Sequence, residues 1–142
     1  MADGVPFRFR QPPYRAARIA ASRGSQGYRR MRLRSDFWVS AHLRRLDVAG
    51  IPAVLRRRGA AEAGAIFVKV DRLDGSADLY GPAPQALFEA EESGDRRFAA
   101  VVTGGSPLDV EERLTKEIRF DSDLWIIEID DRQGRHFLDL AE

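Results

Sequence analysis

The sequence predicts an α+β fold in which two helices pack on one mixed, largely antiparallel sheet of five to six strands. A dense apolar run, Leu124–Asp130, has both faces apolar until its end, which is typical of a strand covered on both sides near the middle of a sheet. A hairpin signal surrounds Asp74-Gly75. Two further stretches carry apolar stripes at helical spacing, bounded by capping residues. The order of the strands does not follow from one sequence.

Length and composition indicate one ordinary globular domain. The chain has 142 residues, of which 44% are hydrophobic and 32% are charged. Cysteine is absent, so the sequence contains neither a disulfide framework nor a thiolate metal site. No apolar run approaches the roughly 18 residues that a membrane span requires, and we expect a cytoplasmic protein without a membrane partner.

The charges are strongly segregated along the chain. Residues 1–72 carry 16 Lys and Arg against 5 Asp and Glu, whereas residues 73–142 carry 7 against 17. One explanation is that the two halves neutralise each other within one domain. The alternative is that a basic surface survives folding and meets an anionic partner such as nucleic acid.

The first 30 residues differ in composition from the rest. They hold seven Arg and one Asp, together with scattered Pro and Gly, and they lack a sustained apolar period. We expect a disordered basic extension at 1–30 and a single α+β domain at 31–142. A basic arm that contacts phosphates and a transit peptide are alternatives for the extension.

The first patterned segment predicts a helix from about Asp36 to Ala49. Ser35 is a suitable N-cap, and Gly50 is a suitable stop. The core-facing stripe is expected to contain Val39, Leu43 and Leu46.

Four strands are expected between the two helices. They are Ala53–Arg57, then the hairpin pair Ala65–Leu73 and Ser76–Gly81, and finally Arg97–Val102 after an exposed acidic connection at 85–95. If Leu73 pairs with Ser76 across a two-residue turn, Val70 faces Leu79.

The second helix and the final hairpin follow. Thr103-Gly104-Gly105 is expected to be a turn, after which Ser106 caps a helix, with Asp109 completing a capping-box pattern. Its buried stripe is expected to be Val110, Leu114 and Ile118. After the central strand, a turn with Gly134 in the left-handed region is expected to return the chain into a strand at Arg135–Leu140.

The region from about Met31 onward resembles a small bacterial family, found mainly in alphaproteobacteria, that is catalogued as domain of unknown function 1491. The residues that carry the resemblance are Asp36-Phe37-Trp38-Val39, Arg44-Arg45, Gly64–Val70, Leu73-Asp74-Gly75, Leu79–Ala83, Phe120-Asp121, Asp123-Leu124-Trp125 and Asp131–Phe137. The resemblance covers roughly the last 110 residues. It implies no activity, cofactor or site residue, since the family has none assigned.

Four polar residues form a candidate cluster: Glu128, Asp130, His136 and His42. With a bulged final turn, Asp130 would lie opposite His136 and orient its imidazole. Glu128 would either lie at the sheet rim or be held by a cation such as Arg45, Arg56 or Lys69. The histidines lack ligand-spaced neighbours, so we expect no metal site and no cofactor. A cross-strand structural pair is the simpler interpretation.

A small hydrolase or nuclease is a further alternative. A restriction-endonuclease-like metal centre would need an acidic residue two positions before a strand lysine, and Phe67 occupies that position before Lys69. The Gly104-Gly105-Ser106 sequence could cradle a phosphate, but no Lys follows as in a Walker loop, and a capped turn is the better interpretation.

The basic residues near the first helix and strands are the strongest functional hint. This candidate anion-binding set is Arg44, Arg45, Arg56, Arg57, Arg58 and Lys69, joined by Arg72. The sequence favours a non-enzymatic protein-interaction or regulatory module whose partner it does not identify. The alternative is a nucleic-acid-binding protein that uses a basic arm and surface.

Overall fold

The computed structural model of the chain describes residues 33–84 and 96–141. The expected basic extension at 1–30 and the expected acidic connection at 85–95 lie outside the described residues. The described elements, in chain order, are α1 (Ser35–Val48), β1 (Ala53–Arg57), β2 (Ile66–Asp71), β3 (Ala77–Pro82), β4 (Phe98–Gly105), α2 (Pro107–Phe120) and β5 (Trp125–Asp130).

The five strands of the described chain form one open sheet with the order β1-β5-β2-β3-β4. β2 and β5 are parallel, and the other three neighbouring pairs are antiparallel. α1 covers one face, where Leu46 belongs to the same apolar cluster as Ile127. α2 covers the other face, where Leu114 clusters with Ile126. The expected α+β fold with two helices on a mixed sheet is confirmed.

β5 is the apolar interior strand that the sequence predicts near the middle of the sheet. It lies between β1 and β2, with Ile127 facing α1 and Ile126 facing α2. Trp125 is only 1% exposed, and its indole nitrogen donates a hydrogen bond to the carbonyl of Ala60 at 2.8 Å. The partner for the indole allows so large a ring to be buried without an unsatisfied polar group.

α1 begins one residue earlier than expected. Arg34 occupies the cap position without a side-chain cap bond, so the assignment of Ser35 as N-cap was wrong. The Ser35 hydroxyl is instead buried and donates to the Gly64 carbonyl at 2.6 Å. The predicted stop at Gly50 is confirmed: its φ is 77°, and the Ile51 amide bonds back to the Leu46 carbonyl, as in a Schellman motif.

The β2–β3 hairpin forms, but its expected register was wrong by one residue. Val70 lies opposite Asp78 rather than Leu79. The loop contains three residues instead of two, because Leu73 adopts a positive φ of 63° and the Arg72 amide bonds to the Ser76 carbonyl. A positive φ is unusual for leucine, so a rule based on Asp-Gly turns does not anticipate this loop.

β4 and α2 meet without the expected turn between them. β4 continues through Gly105 with irregular pairing to β3, so Thr103-Gly104-Gly105 belongs to the strand and the turn assignment was wrong. The capping box at Ser106 and Asp109 is confirmed, with Pro107 in the first turn. The sequence therefore predicted the helix start but not the length of the strand before it.

The last part of the described chain departs most from expectation. The turn after β5 forms, and Gly134 has a φ of 72° as predicted. The segment 135–140 does not pair with β5, and its expected strand was wrong; a single bridge joins Leu140 to Phe98 instead. The reason is topological: both edges of β5 are already hydrogen-bonded to β1 and β2.

Candidate functional site

The four residues of the predicted polar cluster do not meet. Glu128 and Asp130 alternate with Ile127 and Ile129 along β5, so they lie on the α2 side of the sheet. His42 belongs to α1, on the other side, and contacts His136 there. The expected pairing of Asp130 with His136 was wrong, because the segment containing His136 does not run beside β5. The cluster is thus two separate arrangements.

His42 and His136 hold residues 135–140, which we call the C-terminal segment, against α1. We call this pair of histidines the histidine anchor. The His42 ring is buried and stacked on Trp38, with ring centroids 4.5 Å apart. Its Nε2 lies 2.8 Å from the His136 carbonyl oxygen, which can only accept, so Nε2 carries the proton. Burial lowers the pKa of His42 to about 4, and the ring is neutral near pH 7.

His136 completes this anchor on the segment itself. Its Nδ1 accepts a hydrogen bond from the Leu138 amide at 2.9 Å, and its ring packs on Tyr80 at 4.6 Å. Burial lowers the pKa of His136, although Asp78 acts in the opposite direction. Both histidines therefore hold backbone in place as neutral groups.

The carboxylate arrangement is an ion-pair network that joins α2 to three strands. Lys69, only 5% exposed, donates to Glu111 at 2.7 Å and lies 3.7 Å from Glu128. Arg56 binds Glu111 through two bonds of 2.8 and 3.1 Å and Glu128 through one of 3.2 Å. Of the three cations predicted to hold Glu128, Arg56 and Lys69 are confirmed, whereas Arg45 lies on α1 over the Phe137 ring. The hydrogen bonds from Arg56, followed by those from Lys69, lower the pKa of Glu111 to about 2.

Glu111 is the member of this network that sequence reasoning missed. It lies beside the buried stripe of α2, where a glutamate usually faces solvent. Its position next to Arg56 and Lys69 depends on β1, β5 and β2 being neighbours, which the sequence alone does not establish. The pairs join basic residues of the first half of the chain to acidic residues of the second half.

Three carboxylates gather beside this network. One ligand oxygen from each of Asp71, Glu128 and Asp130 lies within 4.8 Å of the others. Burial, followed by repulsion from Glu128 and Asp71, raises the pKa of Asp130. Such oxygens suit a hard divalent cation, but the Lys69 ammonium beside Glu128 already supplies positive charge to the group. Glu128 joins the trio to the ion-pair network.

The predicted anion-binding set does not form one surface. Arg56 and Lys69 are ion-paired within the α2-side network. Arg57 donates to the Ser122 carbonyl at 2.7 Å, and the Arg58 guanidinium lies 5.4 Å from the Trp125 ring centroid. Arg72 is paired with Asp78 at 2.7 Å. Arg44 and Arg45 are exposed on α1, across the sheet from Arg56 and Lys69.

Arg44 and Arg45 border a shallow groove of about 470 Å³ that α1 forms with the C-terminal segment. The groove is lined by Ala41, Arg44, Arg45, Val48 and Phe137, and we call it the α1 groove. Ala41, Arg45 and Val48 are spaced by four and three residues, so they form one stripe along the helix. Val48 is 80% exposed and Phe137 is 37% exposed.

The position of Phe137 in the α1 groove follows from the histidine anchor. Its neighbours on either side, His136 and Leu138, are held by the bonds described above, and its own φ is 59°. The Arg45 guanidinium lies 5.6 Å from the Phe137 ring centroid, a cation–π distance. Sequence reasoning singled out neither Val48 nor Phe137, because isolated apolar residues give no signal of a shared surface.

Neither helix in the described ranges 33–84 and 96–141 has the length and apolar character needed to cross a membrane.

Comparison with known proteins places the chain in a family without assigning it a role. The model of a family described as protein of unknown function, DUF1491, matches residues 33–139. No curated protein matches the chain.

Solved structures agree with this match. A protein from A. tumefaciens, determined in solution, is 42% identical, with 78% of this chain and 95% of that chain covered and a TM-score of 0.67. A DUF1491 family protein from Caulobacter crescentus, determined by crystallography, is 36% identical, with 79% and 100% covered and a TM-score of 0.65. An NMR structure of a DUF1491 family protein from the same species gives 36% identity, 79% and 99% coverage and a TM-score of 0.65. The sequence, the strand arrangement and these neighbours lead to one conclusion: the chain belongs to the DUF1491 family.

Proposed function

We propose that this protein is a cytoplasmic protein-interaction module that binds its partner through the α1 groove. The observation that carries the proposal is that exposed Val48 and Phe137 line one groove together with Ala41 and two arginines. Apolar side chains that are grouped on a surface and rimmed by polar ones commonly mark protein contacts. An arginine rim is also common there, since interfaces are enriched in aromatic residues and Arg.

The polar groups elsewhere in the described chain support the same proposal. The carboxylates and cations on the α2 side bind one another, and the two histidines bind backbone groups. The α2-side contacts stabilise the fold, and the histidine bonds hold the segment that carries Phe137, which is one wall of the groove.

The test is capture of partners from native lysate by the full chain. We compare the wild-type chain with Val48→Glu, which places a charge in the α1 groove. The matched control is Leu108→Glu, since Leu108 is 66% exposed on α2, on the other face of the sheet. A protein retained by the wild type and by the control, but lost with Val48→Glu, is the expected result.

Nuclease treatment of the lysate distinguishes a protein partner from the alternative of a nucleic-acid partner. Capture that is unchanged by nuclease supports a direct protein contact. Capture that disappears with nuclease, that survives Val48→Glu, or that is absent for the wild type contradicts the proposal.

A further inference from the structure

The α1 groove combines an apolar floor with positive charge at one border. Ala41, Val48 and Phe137 supply the carbon surface, and the two arginines lie beside it. Among the described residues that line the groove, none is acidic. A ligand that fits must therefore present apolar side chains to the floor and negative charge to the border.

Arg45 is held where it can bind such a charge. Its guanidinium lies over the Phe137 ring, and Phe137 is fixed through the backbone of His136 and Leu138. A guanidinium presents a planar fork of donors that matches a carboxylate, and packing on an aromatic ring limits the rotamer freedom lost when it binds. Arg44 lines the same groove and is also exposed. Two neighbouring carboxylates could thus be bound at one border.

Three other arginines in the described chain have partners of the same chemistry. Arg56 is paired with Glu111, Arg72 with Asp78, and Arg135 with Asp131, with N–O distances of 2.7 to 2.8 Å. In each case the partner is a carboxylate. At the border of the α1 groove, the Arg45 guanidinium is a similar donor, and it lies next to the exposed apolar side chains of Val48 and Phe137.

We infer that the α1 groove binds an acidic amphipathic peptide segment of a protein partner, with apolar side chains on Val48 and Phe137 and carboxylates on Arg44 and Arg45. The inference rests on the proposed function, to which it adds the chemistry of the partner. Two arginines beside an apolar floor suit such a segment better than nucleic acid, which is typically bound by many phosphate contacts. The electrostatic part contributes to specificity and is weakened by salt.

The test is fluorescence polarisation with the full chain and four labelled probes. The first is an amphipathic peptide with Leu and Phe on one face and Glu on the other. The second replaces every Glu with Lys, the third replaces the apolar residues with Ser, and the fourth is a single-stranded oligonucleotide. We expect the first probe to bind most tightly, with affinity that falls as salt is raised.

Charge reversal gives the decisive comparison. Arg44→Glu/Arg45→Glu should weaken binding of the acidic peptide by about tenfold or more and strengthen binding of the lysine peptide. Lys116→Glu/Arg119→Glu changes the net charge equally on exposed residues of α2, across the sheet, and should leave both affinities unchanged. Circular dichroism melting of each variant verifies that it is folded.

Three results would overturn the inference: equal binding of acidic and basic peptides, equal effects of the two double variants, or tighter binding of the oligonucleotide. If these occur while Val48→Glu still abolishes partner capture, the groove is an interaction site for a partner of different chemistry. If partner capture does not depend on Val48, the proposed function itself fails.

Discussion

The pH dependence of stability provides a quantitative test of the histidine anchor. His42 is neutral in the folded chain, and burial lowers its pKa from 6.5 to about 4. In the unfolded chain the ring is solvated and titrates near its ordinary value. As the pH falls below 6.5, the unfolded chain therefore takes up a proton that folded His42 does not accept until about pH 4. The stability due to neutral His42 is present above pH 6.5 and is lost progressively between these two values.

The size of the effect follows from the two pKa values. Lowering the pH from 7 to 5 is expected to reduce the free energy of unfolding by about 2 kcal/mol through His42, with the full loss of about 3 kcal/mol reached below pH 4. His136 adds to the loss, because its pKa is also lowered. Glu111 and Asp131 have pKa values lowered to about 2, so the stability they contribute is lost only in more acidic solution.

Urea unfolding at pH 7 and pH 5 measures this difference. His42→Gln is the matched variant, since its amide nitrogen can donate to the His136 carbonyl but does not titrate in this range. The variant should be less stable at pH 7, because the stacking on Trp38 is lost, and should show a smaller change between the two pH values. Equal stability of the wild type at pH 7 and pH 5, or an unchanged pH dependence in His42→Gln, would refute the reasoning.

Three further variants test the packing of β5 and the ion-pair network. Trp125→Ala should lower the free energy of unfolding by about 3–5 kcal/mol, because a buried indole leaves a cavity. Gly59→Ala should reduce the melting temperature by several degrees, because the added methyl group would collide with the backbone carbonyl of Asp123. Glu111→Gln should cost about 1 kcal/mol in urea unfolding, because Lys69 and Arg56 each lose an anionic partner at a partly exposed site.

Each of these three predictions has an outcome that would contradict it. A wild-type melting curve for Trp125→Ala would mean that β5 is not central to the core. An unaltered melting temperature for Gly59→Ala would show that the loop can move away from Asp123. Glu112→Gln, on the exposed face of α2, is the control for Glu111→Gln, and equal effects of the two would show that the network does not stabilise the fold.

The nucleic-acid alternative is tested by gel shift at low and moderate salt with Arg56→Ala/Arg57→Ala/Arg58→Ala. Because these side chains are engaged with Glu111, the Ser122 carbonyl and the Trp125 ring, we expect no loss of any nucleic-acid binding that the wild type shows. A large loss of binding would assign the contact to β1 and the residue that follows it.

Features that depend on neighbouring residues were predicted from the sequence. The apolar run of β5, the capping box at Ser106 and the stop at Gly50 each follow from a pattern within a few residues, and each is present. The register of the β2–β3 hairpin was wrong because Leu73 adopts a backbone conformation that leucine rarely occupies. Local rules describe what residues usually do, so an exception of this kind is found only in the structure.

Features that depend on strand order could not be predicted. The strand expected at 135–140 required a free edge on β5, and that edge is occupied by strands distant in sequence. For the same reason Glu111 was not connected with Lys69, and Phe137 was not connected with Val48. The apolar strand β5 could be recognised from its own residues, but the candidate site arises from contacts between distant parts of the chain.

The insertion of β5 between β1 and β2 has a consequence for how the molecule assembles. β1 has no other partner in the described sheet, so this first described strand stays unpaired until β5, the last described strand, is synthesised. During synthesis, β2, β3 and β4 emerge earlier and can form a meander whose β2 edge is open. Closing that edge requires a contact across some sixty residues, which is a slow step by the usual dependence of folding rate on sequence separation. We expect the nascent chain to be most prone to self-association just before Trp125 leaves the ribosome.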